Sequence, residues 1–423
     1  MKKMLSVCLA AVVLVSALAG CSGGGKAEPA INQSAQPSAS APADSSQPAG
    51  AAKAVTLWYY WETPLHQETL GKVIQNFNGS QSAVKVEAKY VPFADFKKQL
   101  SIGATVSELP DIVIIDSPDL PSYAAMGIFA DITGKFDMSQ YYDGPKNSCT
   151  YDGKLYGVPF GSNCLALFYN EDMLKAAGQS VPTTWAELRA AAKALTTDKV
   201  SGLAFCCLQN EEGTFNFMPW VWATGTDSFN LNNDKGISAI KYVSDLVKDG
   251  SMTKEVINWT QGDVMNQFIS GNVAMMINGP WQVPTMRKEA PNLKWNVALI
   301  PKGNQNASVL GGENLAVIKN DNVDSSLAFL KYMTSPDILK TYIDVFGYIA
   351  SRKDVAEGQF TDDPIMKQFI AQMQYAQPRG PHPRWPEISD AISLAFNEAI
   401  TGVSTPEAAA AKAQTTIDSI VKG

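Results

Sequence analysis

The sequence predicts an α/β protein built in two lobes, and three observations support this. From residue 54 to 115, segments that read strand, helix, strand, helix, strand follow one another, the order that builds a parallel sheet with covering helices. The portion able to fold, about 370 residues from position 54 onward, is longer than one compact core usually serves. An apolar run at 273–277 stops at Asn278-Gly279-Pro280 and is followed at once by Trp281. The largest apolar side chain therefore stands where the backbone leaves a sheet, a place for a crevice wall rather than for a core.

The elements follow from periodicity. Residues 54–60 read as a strand, and 66–78 as a helix with Leu70, Val73, Ile74 and Phe77 on one face. Residues 84–90 are a strand, 93–104 a helix and 111–115 a buried strand. Farther on, 165–169 and 273–277 read as strands, and 184–195 and 236–249 as helices. The last third is mainly helical, at 335–345, 363–375, 387–400 and 406–421. Thr184 with Glu187 and Ser404 with Glu407 fit capping boxes. No internal repeat is visible.

The N-terminus points to export. Lys2 and Lys3 precede an apolar stretch at 4–18 that is too short to span a bilayer comfortably, which favours a signal peptide over residues 1–20. The stretch ends in "LAGC", which resembles the lipobox of bacterial lipoproteins and makes Cys21 the expected acylated first residue. Residues 22–53 are rich in Ser, Ala, Pro, Gly and Gln and read as a flexible tether. A lipid-anchored protein on the outer face of the cell membrane, in a Gram-positive bacterium, is expected. The GxSxG-like string at 20–24 follows a signal rather than a strand and carries no hydrolase reading.

The chain is mildly acidic, at net −7, and −9 without residues 1–20. With no basic cluster, this argues against nucleic acid as partner. Cys149, Cys164, Cys206 and Cys207 have no CxxC or zinc spacing, and whether they pair or sit buried as small apolar residues is left open. No cofactor or metal site is expected: "NLNNDKG" departs from an EF-hand at Lys235 and Lys241, and no GxGxxG or Walker pattern occurs.

In open parallel sheets the ligand crevice lies beyond the carboxyl ends of the strands. Trp281 is at such a place; so are Trp61 and Glu62 after the first strand, and Asp116 and Ser117 after "DIVII". Aromatic faces beside carboxylates and amides suit a sugar, whose C–H faces stack on rings while its hydroxyls take paired hydrogen bonds.

The stretches "LPDIVIIDSPDLPSYAAMGIFADIT", "LYGVPFGSNCLALFYNEDMLKAAG", "PTTWAELRAAAKAL", "GNVAMMINGPW", "GGENLAVIKN" and "FGYIASRKDV" occur in this order over nearly the whole mature chain. Together they resemble the extracellular solute-binding proteins of oligosaccharide-importing ABC transporters, the group that includes maltose-binding protein. The resemblance implies a periplasmic-binding-protein-like Venus flytrap fold, with three hinge crossings near Asn163, Gly311 and Gly347. One lobe then comprises 54–163 plus 312–346, the other 164–311 plus 347–423. It also implies closure on an oligosaccharide, a monomeric receptor, and delivery to permease and ATPase subunits of an importer.

Site residues carried over on matching motifs are Trp281 as a stacking platform and Asn163 where maltose-binding protein has a carboxylate. Asp116 lies one residue past a stacking position that is Ile115 here, and is equally placed to cap the next helix. Trp220 and Trp222 match a segment that supplies an aromatic, with one of the two expected in the core and Trp220 taken for the site. Gly312 and Glu313 lie on a Gly-rich crossing. Arg384 and Trp385 lie in "RGPHPRWPEI", where the family supplies another aromatic. The alternative is a secreted glycoside hydrolase or polysaccharide lyase, with Glu62, Asp116 and Glu313 as its carboxylates. A purely adhesive lipoprotein explains the tether but not the strand-end tryptophans.

Overall fold

Residues 52–422 are described by a computed structural model. The expected anchor Cys21, the signal and nearly all of the tether lie outside the described residues. Among the described residues no helix is long and apolar enough to cross a membrane.

Apolar side chains collect in two separate cores. The first is built on the strands Lys53–Tyr59, Val84–Tyr90 and Ile112–Asp116, which pair in parallel as the alternation predicts. The helix Pro64–Ser80 covers this sheet with Leu70, Val73, Ile74 and Phe77, the face expected from periodicity. Its first turn is closed by Thr63, whose hydroxyl accepts the N–H of His66 at 3.2 Å. The second core surrounds an antiparallel sheet in which Ala166–Asn170 lies between Met275–Asn278 and Trp295–Ala298. The parallel pattern therefore does not extend to every strand.

Two long antiparallel strands join the cores. Gly157–Cys164 begins in the first core with Val158 and Phe160 and ends in the second with Cys164. Ser308–Val317 runs the other way, from Val309 in the second core to Leu315 in the first. Asn163 and Gly311 are direct partners in this ladder. The third passage differs from the expectation. Tyr348, Ala350 and Val355 still belong to the first core, Ala356 packs on it, and Phe360 is the first residue packed on the second. The chain thus changes core beyond Ala356, not at Gly347, because the short strand Ile349–Ala350 pairs with Gly157–Cys164 and holds it on the first core.

One further expectation changes. The last helix, Pro406–Val421, is capped by Thr405, whose hydroxyl accepts the Ala408 N–H, rather than by Ser404. A reciprocal capping box occurs instead at Thr260 and Asp263. All four described cysteines are free and buried.

Candidate functional site

A cavity opens between the cores. Trp281 packs against both cores and lines this cavity. The strand Met275–Asn278 ends, Gly279 extends the chain, and Pro280–Gln282 form one 3-10 turn. A Cβ at Gly279 would overlap the Trp281 indole, so glycine is what lets the ring fold back across its own backbone. Gly347, at φ +70°, abuts Pro280 from the other core. Phe215 stands 6.0 Å from Trp281, ring centroid to ring centroid.

The first lobe supplies Trp61, His66 and Glu313, each buried. Trp61 Nε1, His66 Nε2, Asn163 Oδ1 and Glu313 Oε2 have no hydrogen-bond partner within the protein. Buried polar atoms are normally paired, so four unpaired ones around one cavity mark where a ligand would bind. Glu313 Oε1 is held by the Tyr348 hydroxyl at 2.9 Å, which aims the second oxygen. Burial, and next the charge of Asp116 on the neighbouring strand, push the Glu313 carboxyl up to about 8. Burial holds the His66 imidazole neutral, down at about 3.

From the second lobe, Glu211 and Glu212 open the helix Glu211–Ala223, with Asn210 as its cap. Carboxylates there complement the helix dipole. Glu212 Oε1 accepts the Gln261 N–H at 2.6 Å, yet burial and Glu62 raise its carboxyl to about 8. Arg379 follows the strand Ala376–Pro378, which pairs with Ser308–Val317 and delivers the guanidinium beside the crossing. Its two Nη atoms fork Asp116 at 2.7 and 2.8 Å, Nη1 also reaches Glu211 at 2.5 Å, and the group lies over the Phe215 ring. Burial opposes this charge, but Asp116 and Glu211 outweigh it and hold Arg379 above its usual range.

Of the residues expected from sequence, Trp61, Glu62, Asp116, Asn163, Trp281, Gly312 and Glu313 line the cavity. Asp116 makes no cap hydrogen bond to the helix Leu120–Ala125, whose cap position is Asp119, and serves Arg379 instead. Four expectations are corrected. Ser117 lies on the far side of the crossing strands, its N–H bonded to the Gly312 carbonyl. Trp220 is fully buried between Trp185, Phe205 and Tyr242, and Trp222 is buried in the same core. Trp385 is also fully buried and donates its Nε1 to Glu211. Arg384 is exposed and paired with Glu387 in an outer groove.

Sequence reading missed Tyr60, His66, Glu212, Phe215, Gln261, Tyr348 and Arg379. Tyr60 adjoins Trp61 and falls under the same strand-end rule, whereas His66 stands in the first turn of the helix that follows. Asn210 before Glu211-Glu212 was a readable helix start for Glu212 and Phe215. Gln261 and Tyr348 had no local signal of that kind. Among the described residues no three His, Cys, Asp or Glu side chains are grouped to hold a metal ion.

Residues 72–368 match the family model of bacterial extracellular solute-binding proteins. A putative binding protein of Brucella abortus (strain 2308) is 25% identical over 393 residues, covering 89% of this chain and 95% of that protein. The multiple sugar-binding protein of Streptococcus mutans is 24% identical over 345 residues, covering 76% of this chain and 81% of that one. An ABC transporter solute-binding protein of Thermotoga lettingae, solved with α-D-tagatose, superposes with TM-score 0.82 at 26% identity, covering 87% of this chain and all of that one. All three are binding proteins by name, not enzymes.

Proposed function

We propose that this chain, which belongs to the family of bacterial extracellular solute-binding proteins, captures a saccharide between its lobes and delivers it to an ABC importer. The observation that carries the reading is the position of Trp281. Its indole touches both cores and walls a cavity in which Asn163 Oδ1 and Glu313 Oε2 are buried and unpaired. An aromatic face opposite two unpaired polar groups fits a sugar ring, with its C–H face on the indole and its hydroxyls hydrogen-bonded to Asn163 Oδ1 and to the Glu313 carboxyl. The likeness to a sugar-binding relative and to a tagatose-bound neighbour supports the same chemistry. Closure would bring the Trp61 side and the Trp281 side together around the ring.

The finer parts of the proposal are an oligosaccharide as the natural cargo, an acylated Cys21 as anchor, and permease and ATPase subunits as the receiving machinery. A monomer is sufficient, because both walls of the cavity come from one chain. A thermal-shift screen of the purified protein against a saccharide panel tests the reading. A bound sugar at 100 times its dissociation constant adds about 2.7 kcal/mol to stability. Recovery of the sugar intact is expected; its cleavage would favour the hydrolase alternative, and no shift with any saccharide would overturn the proposal.

A further inference from the structure

The cavity beside Trp281 has a neighbour. A second groove, lined by Lys97, Glu211, Arg384 and Asp390 among others, shares Phe93 with it. Between the two stands a wall of buried charge with roots in both lobes. Arg379 forks Asp116 and bonds Glu211. Lys97 reaches Asp119 and Glu211, each at 3.1 Å. Asp116, Asp119 and Lys97 come from elements of the first core, Glu211 and Arg379 from elements of the second. The Arg379 and Glu211 side chains are each 1% exposed. Phe215 beneath the guanidinium and the Trp385 N–H on Glu211 fix the wall in place. Each charged member takes part in an ion pair, with Arg379 Nε left without a hydrogen-bond partner, so a sugar that passed through the wall would have to displace an ion pair.

The sizes of the two spaces add to this. The cavity offers about 100 Å³ to the centre of a water molecule, and the groove beyond the wall about 520 Å³. The cavity is thus about a fifth the size of the groove, which suits a short saccharide rather than a long chain. The larger space needed by a long chain lies behind the wall.

We propose that Lys97, Asp116, Glu211 and Arg379 form a partition that closes one end of the interlobe cleft and restricts this receptor to short saccharides. One ring is enclosed against Trp281, a second reaches at most the mouth near Glu62 and Gln261, and further rings hang in solvent. This rests on the saccharide reading above and narrows the oligosaccharide expected from sequence to its shortest members.

The test is calorimetry on the full mature chain with homologous ladders, from monosaccharide to tetrasaccharide, of α- and β-glucans, mannans, xylans and galactans. In a ladder that binds, affinity should change by less than about threefold beyond the disaccharide. A trisaccharide or tetrasaccharide tighter by about tenfold would overturn the partition while leaving the saccharide reading intact. Absence of binding in every ladder would count against the saccharide reading itself, and this inference falls with it. Lys97 is the member of the wall nearest solvent, with a side chain 25% exposed, so Lys97→Ala should keep the fold, checked by circular dichroism. It should raise the trisaccharide-to-disaccharide affinity ratio by about fivefold or more, and Lys97→Arg should restore the flat profile. A ratio unchanged in a folded Lys97→Ala would overturn the proposal.

Discussion

The indole of Trp281 lies across Gly279, two residues before it, so closely that a Cβ on Gly279 would overlap the ring. Gly279 itself is extended, at φ −107° and ψ 171°, which alanine adopts freely. Gly279→Ala should therefore leave the backbone intact and displace only the ring. Saccharide affinity should fall roughly tenfold, about 1.4 kcal/mol, with a change in tryptophan emission. Calorimetry and fluorescence on the same variant check this; unchanged affinity would mean that the ring position does not matter for binding.

Trp281 and Trp220 should behave as opposites. Trp281→Ala should weaken saccharide binding by roughly 2–4 kcal/mol, as aromatic anchors do. Trp220 is fully buried, so Trp220→Ala should cost about 3–5 kcal/mol of stability while the folded fraction binds normally. Urea unfolding without ligand, together with titration calorimetry, separates the two. A Trp281→Ala protein that unfolds early but binds as the native protein would show that Trp281 is a core residue.

The buried wall is sensitive to loss of one partner. Asp116→Ala leaves Arg379 with Glu211 alone and should cost about 3–5 kcal/mol in denaturant unfolding. Arg384→Ala, at an exposed pair with Glu387, should leave the unfolding midpoint unchanged. Equal effects of the two substitutions would contradict the burial contrast between them.

Stability should fall as pH rises from about 4.5 to about 8. Glu212 and Glu313, with folded values raised to about 8, keep a proton in this window that the unfolded chain has already released above about 4.5. The native state then binds more protons, so the slope of unfolding free energy against pH is negative. Asp119, raised by burial to about 7, adds to it with the same sign. The stabilising contribution is fully present below about pH 4.5 and gone above about 8. Glu313→Gln should flatten part of this slope in ligand-free urea titrations; an unaltered slope would place the responsible protons elsewhere.

The anchor is tested in cells. Cys21→Ser should move the protein from the membrane fraction to the medium or the soluble extracellular fraction on cell fractionation. A variant retained as the native protein is would require another anchor.

Much of the cavity was legible because it depends on local order along the chain. A strand that ends in Asn-Gly-Pro turns the next side chain out of the sheet, so Trp281 is at a crevice, and the same rule reached Trp61, Glu62 and Asp116. The crossing at Asn163 and Gly311 was legible through its motif. Trp220 was misread because the helix Glu211–Ala223 is buried along its whole length, which leaves no periodic contrast to show which face meets the cavity.

The sequence by itself determined the parallel β-α-β start, the helix faces and the strand-end tryptophan, since each is a pattern within tens of residues, and its length of about 370 foldable residues pointed to two lobes. Only the tertiary structure decided which member of Arg379, Arg384 and Trp385 enters the site. The strand Ala376–Pro378 pairs with a crossing strand more than sixty positions earlier and carries Arg379 to Asp116. The next turns send Arg384 to solvent and Trp385 into the second core. It likewise decided where the third passage between cores lies, because the pairing of Ile349–Ala350 with Gly157–Cys164 holds Tyr348 and Val355 in the first core. Both are long-range pairings, and a buried charge finds its partner by where strands meet in space, which no local pattern encodes.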